Sequence, residues 1–254
     1  MALRIGCSGW AYADWNGPFY PKAVKAKDRL AWYATKFDTC EINASFYHLP
    51  PETTVAAWRD GAPAGFCFAW KVSRFISHNK KLRDCAGPVQ LVFGRMAPLA
   101  GKQGPALIQL PPMLKADPQR LADFIGVLPA GLRCAFEFRH PSWYDDPVFE
   151  LLRRYDLALV ISDHHHAPAP WVATASWVYI RGHGPSGRYF GRYPEAALDD
   201  WADRIGAWRG QGRDVFCYFD NDVKSAAPAD AAVLKRLCGR PGAPSRQEAG
   251  AATT

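Results

Sequence analysis

Short apolar runs alternate along this chain with stretches of helical spacing. Residues 3–8, 39–43, 66–72, 106–110, 133–139, 157–163, 177–181 and 214–219 are strand-length and rich in apolar side chains. Between them the apolar positions recur every three or four residues. Asp28 can cap a helix that places Leu30, Tyr33, Ala34 and Phe37 on one face. Helices are also predicted over 51–60, with Val55 and Trp58 inward, and over 90–100. Asp117-Pro118 is an N-cap followed by proline at the first helical position, ahead of a stripe of Leu121, Phe124, Ile125 and Leu128. Asp146-Pro147 repeats that device and starts a helix through Arg154. Residues 194–209 set Leu198, Trp201, Ile205 and Trp208 on one side, and 228–238 is the last helix. Two segments lack periodicity. Residues 9–27 form a long loop carrying Trp10, Tyr12, Trp15, Phe19 and Tyr20, and 164–171 is broken by Pro168 and Pro170.

Eight strands alternating with about seven helices over roughly 240 residues predict an α/β fold, a single (β/α)₈ TIM-like barrel. A doubly wound open sheet is the alternative. It would more often carry a glycine-rich dinucleotide turn after the first strand, of which Gly6-Cys7-Ser8-Gly9 is only a faint version. The expected domain spans residues 1–238. Residues 239–254, rich in Gly, Ala, Pro and Ser, read as a disordered tail.

Composition narrows the picture little. Of 254 residues, 48% are hydrophobic and 22% charged, an ordinary globular mix. No apolar run reaches membrane-spanning length and the first ten residues do not resemble a secretory leader, so a cytoplasmic protein without membrane attachment is expected. Seven cysteines, none in a CxxC pair, read as buried free thiols, with Cys7, Cys40, Cys67, Cys134 and Cys217 inside strands. The formal net charge of +7 permits an anionic partner. Nothing in the pattern sets an oligomeric state.

The chemistry lies at the strand ends. Inward residues of such a barrel fill its centre, and those at the C-terminal ends reach the active-site face. Alternation assigns as inward Gly6 and Ser8, then Glu41 and Asn43, Ala69 and Lys71, and Leu107 and Gln109. Glu137 and Arg139 follow in 135–143 (AFEFRHPSW), then Leu159, Ile161 and Asp163, Tyr179, Arg181 and His183, and Phe216, Tyr218 and Asp220. Every strand thus ends in a polar residue. Buried charges cost several kcal/mol each unless paired, so a barrel built only for stability would not place them there.

The inventory suits an enzyme acting on a small anionic, even phosphorylated, ligand by hydrolase- or lyase-type acid–base steps. Glu41 or Glu137 would be the base, Lys71 or His183 the acid, and Arg139 and Arg181 the anion clamps. Trp10, Asn43, Tyr47, His78, Gln109, Trp143, Asp163, Tyr218 and Asp220 complete the candidate binding set. Glu41 and Glu137 could also pair as in a glycosidase, although three cations are not an expected part of sugar cleavage. No cofactor is predicted. A divalent metal is a secondary alternative on Asp163, His183 and Glu137, because adjacent histidines 164–166 on an irregular loop would diverge. The Gly182–Arg188 segment could hold phosphate through exposed amides. The basic run 78–83, beside Trp10, Trp15 and Phe46, could grip single-stranded nucleic acid, a binding or phosphodiester-cleaving alternative. A non-catalytic ligand sensor is the third reading.

The blocks IGCSGWAYADWNGPFYP, CEINASFYHLPPETTVAAW, FAWKVSRFISH, IQLPP, FEFRHPSW, YIRGHG and YFDND, in that order, resemble the YecE-like family, domain of unknown function 72. The resemblance implies a TIM-like barrel and no particular reaction. It implies that the recurring polar residues fall on Glu41, Asn43, Lys71, His78, Gln109, Glu137, Arg139, Trp143, Asp163, Arg181 and His183. Gly182 and Asp220 depart from the family pattern, where a bulky residue and an asparagine are common, so a strand-eight role does not transfer directly.

Overall fold

The computed structural model describes residues 1–240. Eight strands close into one parallel barrel in sequence order: β1 Leu3–Ser8, β2 Thr39–Ile42, β3 Cys67–Lys71, β4 Gln103–Gln109, β5 Cys134–Glu137, β6 Ala158–Ser162, β7 Trp177–Gly182 and β8 Asp214–Phe219. The outer layer is α1 Arg29–Tyr33, α3 Glu52–Gly61, α4 Ala86–Met96, α5 Pro118–Ile125, α6 Asp146–Arg154, α7 Glu195–Gly210 and α8 Ala226–Cys238, with a single turn, α2 Ala44–Tyr47, directly after β2. No helix among the described residues is long and apolar enough to cross a membrane. The seven cysteines are free, and the five expected in strands are there. The tail expected over 239–254 lies outside the described residues from 241 on.

Local chemistry sets several element ends. The Asp117 carboxylate accepts the Arg120 amide at 3.0 Å, the predicted cap of α5. At α6 the cap is Asp145, one residue before the expected Asp146, and Asp28 makes no side-chain cap bond at all. The helix expected at 90–100 begins earlier, at Ala86, and passes into a 3₁₀ segment over Ala97–Lys102. The segment after β6 has no helix, as its prolines dictate. Trp171 fills the gap, packing edge-on to Trp201 and stacking on Trp208.

Two cores result. Phe68, Trp70, Ile108, Phe136, Ile180 and Phe219 face outward onto the helices. Inside the barrel, β3 to β6 contribute the smaller Ala69, Leu107, Ala135, Ala158 and Val160, while β7 and β8 contribute Trp177, Tyr179, Phe216 and Tyr218. Small residues on one side make room for aromatics reaching across from the other, which keeps the interior close-packed. Gly6 belongs to this economy, because a Cβ there would meet the Thr39 carbonyl oxygen at 2.3 Å.

The inward face of β6 corrects the sequence reading. Ala158, Val160 and Ser162 point in, and Leu159 and Ile161 point out. Both faces of a buried parallel strand are apolar, so alternation alone does not fix its phase. The phase had been anchored on Asp163, which lies just past the strand.

Candidate functional site at the barrel mouth

Arg181, near the end of β7, is the hub of the mouth and is fully buried. Its Nε donates to Glu41 Oε2 at 3.1 Å, and its Nη2 donates to Glu41 Oε1 at 2.8 Å, Ser8 Oγ at 3.0 Å and Asp220 Oδ2 at 2.8 Å. Nη1 donates to Glu137 Oε2 at 3.0 Å and faces His183 Nε2 at 3.0 Å. Burial works against the guanidinium's charge, but Glu41, Glu137 and Asp220 outweigh it and hold its pKa well above the usual value.

The two glutamates are correspondingly occupied. Glu41 also accepts from Tyr179 OH at 2.6 Å and from Ser8 Oγ. Glu137 also faces Arg139 Nη2 at 2.6 Å and accepts from Ser162 Oγ at 3.2 Å. Burial would raise the Glu137 pKa, yet Arg139, Arg181, His183 and Lys71 together hold it well below the carboxylate range. Both glutamates expected to act as the base are thus ion-paired and hydrogen-bonded within the mouth.

His183, the other expected acid besides Lys71, is likewise enclosed by partners. Its Nδ1 lies 3.2 Å from Asp163 Oδ1, and its Nε2 receives the guanidinium hydrogens of Arg181 and, at 3.2 Å, of Arg139. Those partners fix a neutral ring with hydrogen on Nδ1. Burial, then Arg181, pushes its pKa well down. The Nε2 lone pair is already taken, so His183 and Glu137 face guanidinium groups, while Asp163 faces His183 and Tyr193. Asp163 also accepts the His183 amide at 2.7 Å and the Tyr193 hydroxyl. Burial raises its pKa to about 6. The rings of His164, His165 and His166 cluster with centroids 4.1–5.2 Å apart instead of diverging.

Lys71, the last residue of β3, differs from these groups. It is 8% exposed, and its ammonium lies 4.3 Å over the Phe46 ring of α2. Among the described residues it makes neither a side-chain hydrogen bond nor an ion pair. Burial, then the positive Arg181, lowers its pKa from 10.5 to about 8, with Glu137, Asp220 and Glu41 opposing. Arg139 is held by Glu137, by Gln109 Oε1 at 3.4 Å and by Tyr189 OH at 3.0 Å, but its buried Nε–H has no partner. Asn43 donates to Ser8 Oγ at 2.7 Å. His78 sits against Phe46, with burial and then Lys71 lowering its pKa to about 4, and Tyr47 is 60% exposed beside the same ring.

Three candidates lie elsewhere. Trp10 packs on Trp58 and Phe68 in the outer layer. Trp143 is fully buried, stacked on Phe138 at 4.7 Å with its Nε1 donating to the Leu114 carbonyl. Tyr218 meets Thr39 Oγ1, at the start of β2, at 2.7 Å, deep in the barrel. Trp15 is fully buried too, so the aromatic rim imagined beside residues 78–83 loses two members. Several amides of the glycine-rich loop after β7 are used internally: Gly184 N donates to Tyr193 OH, Gly187 N to the Gly184 carbonyl and Tyr189 N to the His183 carbonyl.

The sequence reading missed Tyr189 and Asp222. Tyr189 covers His183 and Arg139 from that loop and is held at φ +70°, a strained backbone for a tyrosine. No periodicity could have placed it. Asp222 follows Asp220 in YFDND. Burial, then the neighbouring Asp220 charge, pushes its pKa up to about 9, and its Oδ1 is buried without a partner. Burial raises Asp220 as well, against Arg181 and Lys71. Asp222 is thus placed to hold a proton at neutral pH. A separate groove of about 830 Å³ on the flank, lined by Phe19, Phe37 and residues of α8, shares no residue with the mouth.

Comparison with known proteins fits this geometry. The family described as "Protein of unknown function DUF72" matches residues 4–252. YunF of Bacillus subtilis is 24% identical over 87% of this chain and 89% of its own. YecE of Escherichia coli is 30% identical over 56% of this chain and half of its own length. A DUF72 family protein from Thermotoga maritima superposes with a TM-score of 0.85 at 23% identity, covering 93% of this chain and 99% of that one.

Proposed function

This chain belongs to the DUF72 family, proteins of unknown function, and we propose that its barrel mouth takes a small anionic ligand and performs acid–base chemistry on it. One observation carries the reading: the ammonium of Lys71, on a buried side chain at the end of β3, makes no hydrogen bond or ion pair among the described residues, and Glu137, Asp220 and Glu41 act on it only from beyond contact. A buried unpaired charge is costly, and an anion delivered by a ligand would relieve that cost. The unpartnered Nε–H of Arg139 offers the same ligand a second donor. Asp222 supplies a proton-holding group, with Asp220 beside it as a carboxylate.

The test is calorimetric titration with phosphate, sulfate and small carboxylates, in parallel with Lys71→Met. Binding by the wild type, weakened at least tenfold in the variant, supports the reading. Equal affinity in both proteins, or none in either, removes it. A second reading, single-stranded nucleic acid along the rim, draws on the exposed Tyr47 and Phe75, the latter beside Lys80. Its mark is oligonucleotide affinity that falls steeply with salt, and no binding at low salt rules it out.

A further inference from the structure

The lysine that carries the proposed function has features that simple anion binding does not require. Every other buried cation of the mouth is an arginine held by carboxylates. An arginine keeps its charge under all conditions and is well suited to gripping an anion. Lys71 instead has an apolar ring beneath its amine, no acceptor to hold the ammonium hydrogens, and a buried guanidinium that opposes its charge. Burial, the missing acceptor and the guanidinium disfavour the ammonium relative to the free amine, and they outweigh the attraction of the Phe46 ring face for the cation. Desolvation and a neighbouring cation are the means by which a lysine becomes a nucleophile. With a pKa of about 8, roughly a tenth of Lys71 is free amine at pH 7. For an ordinary lysine the fraction is roughly one in a few thousand.

We propose that Lys71 forms a Schiff base with its ligand, and that the ligand is an aldehyde or ketone bearing a carboxylate or phosphate. The proposal rests on the anion-binding reading above and adds the covalent step. The ligand's anionic arm meets Arg139, whose Nε–H is unpartnered, and its carbonyl carbon lies at Lys71 Nζ. Lys71 ends β3 and Arg139 follows β5, with Gln109 at the end of β4 between those strands and bonded to Arg139, so the two cations border one part of the mouth.

The step is balanced by one solvent proton and one carboxylate. The Nζ lone pair forms the C–N bond while the carbonyl π pair moves to oxygen, which takes a proton from solvent. Nitrogen, now carrying an extra proton, returns one to the Asp220 carboxylate. Asp220 gives that proton to the hydroxyl, the C–O bond breaks, water leaves, and the nitrogen lone pair completes a protonated C=N. The products are an iminium ion, one water and the Asp220 carboxylate, with no change of oxidation state. Arg181 and Lys71 lie close enough to Asp220 to favour that carboxylate.

The experiment is reductive trapping on the intact chain. Pyruvate, glyoxylate and glyceraldehyde 3-phosphate are each incubated with the protein and sodium cyanoborohydride, and adducts are located by mass spectrometry of peptides. The expected result, with at least one probe, is a single saturable adduct on Lys71, formed at least ten times faster than on any surface lysine and slowed by added phosphate. Its rate should rise with pH around a midpoint near 8. Lys71→Arg, which keeps the charge, and Lys71→Met, with folding checked by circular dichroism, should give none. Labelling spread evenly over surface lysines, or no adduct at Lys71, overturns the Schiff base. If phosphate still binds in that case, the anion site stands and only this inference falls. If neither binding nor adduct is found, both fall.

Discussion

Arg181 at the end of β7 and Lys71 at the end of β3 are buried cations in one barrel mouth, and the protein treats them oppositely. The β7 side surrounds its guanidinium with Glu41, Glu137, Asp220 and Ser8. The β3 side places an ammonium over Phe46 and gives it no acceptor. The first arrangement is complete without a ligand and fixes the positions of five strands. The second is incomplete, and it is there that a ligand has something to add. A charged residue at a barrel rim is thus not evidence of chemistry in itself. What discriminates is whether the chain has already supplied the counter-charge.

The comparison can be broken most forcefully at its paired end. Arg181→Met leaves Glu41 and Asp220 buried without a cation and Glu137 with Arg139 alone, and a loss above ~4 kcal/mol in urea unfolding, or failure to yield folded protein, is expected. Glu137→Gln leaves Arg139 and Arg181 each short of a partner, with an expected cost on the order of 3 kcal/mol by the same measurement. Lys71→Met should act in the other direction, stabilising the protein by about 1–3 kcal/mol at pH 7, because it removes an uncompensated buried charge. The sign follows from linkage. The folded chain releases this proton near pH 8 and the unfolded chain near 10.5, so between them the unfolded state binds more protons. Wild-type stability therefore rises across that window, and the advantage of Lys71→Met fades over the same range. Equal stability of the two proteins at pH 7 would show that something in the chain already compensates Lys71. The smallest effect is expected from Tyr189→Phe, which removes one bond to Arg139 from a partly exposed residue and should cost below ~1 kcal/mol.

The fold was legible because a parallel barrel alternates two easily told patterns, and each strand stops in turn or polar residues. Most inward faces were legible too, wherever a charged residue such as Glu41, Lys71 or Glu137 shared a strand with large outward apolar groups. β6 failed for a physical reason: with alanine and valine inside and leucine and isoleucine outside, hydrophobicity carries no phase. Trp10, Trp143 and Tyr218 failed because amphipathic aromatics serve as core as readily as they line a site, and only packing partners decide. Tyr189 is set by loop closure, to which no periodic pattern corresponds. Most of all, residue type could not separate Arg181 from Lys71, since their difference lies in partners distant in sequence.

That distance has a consequence for how the chain reaches its fold. Arg181 binds Ser8 and Glu41 across separations of 173 and 140 residues, and Glu137 across 44. An N-terminal portion ending after β5 would turn two glutamates toward its own interior with Arg181 not yet in place. Such a half-barrel bears the electrostatic cost of the mouth without its compensation. The network therefore penalises partial barrels and rewards only closure, making the contacts between the two halves of the chain cooperative.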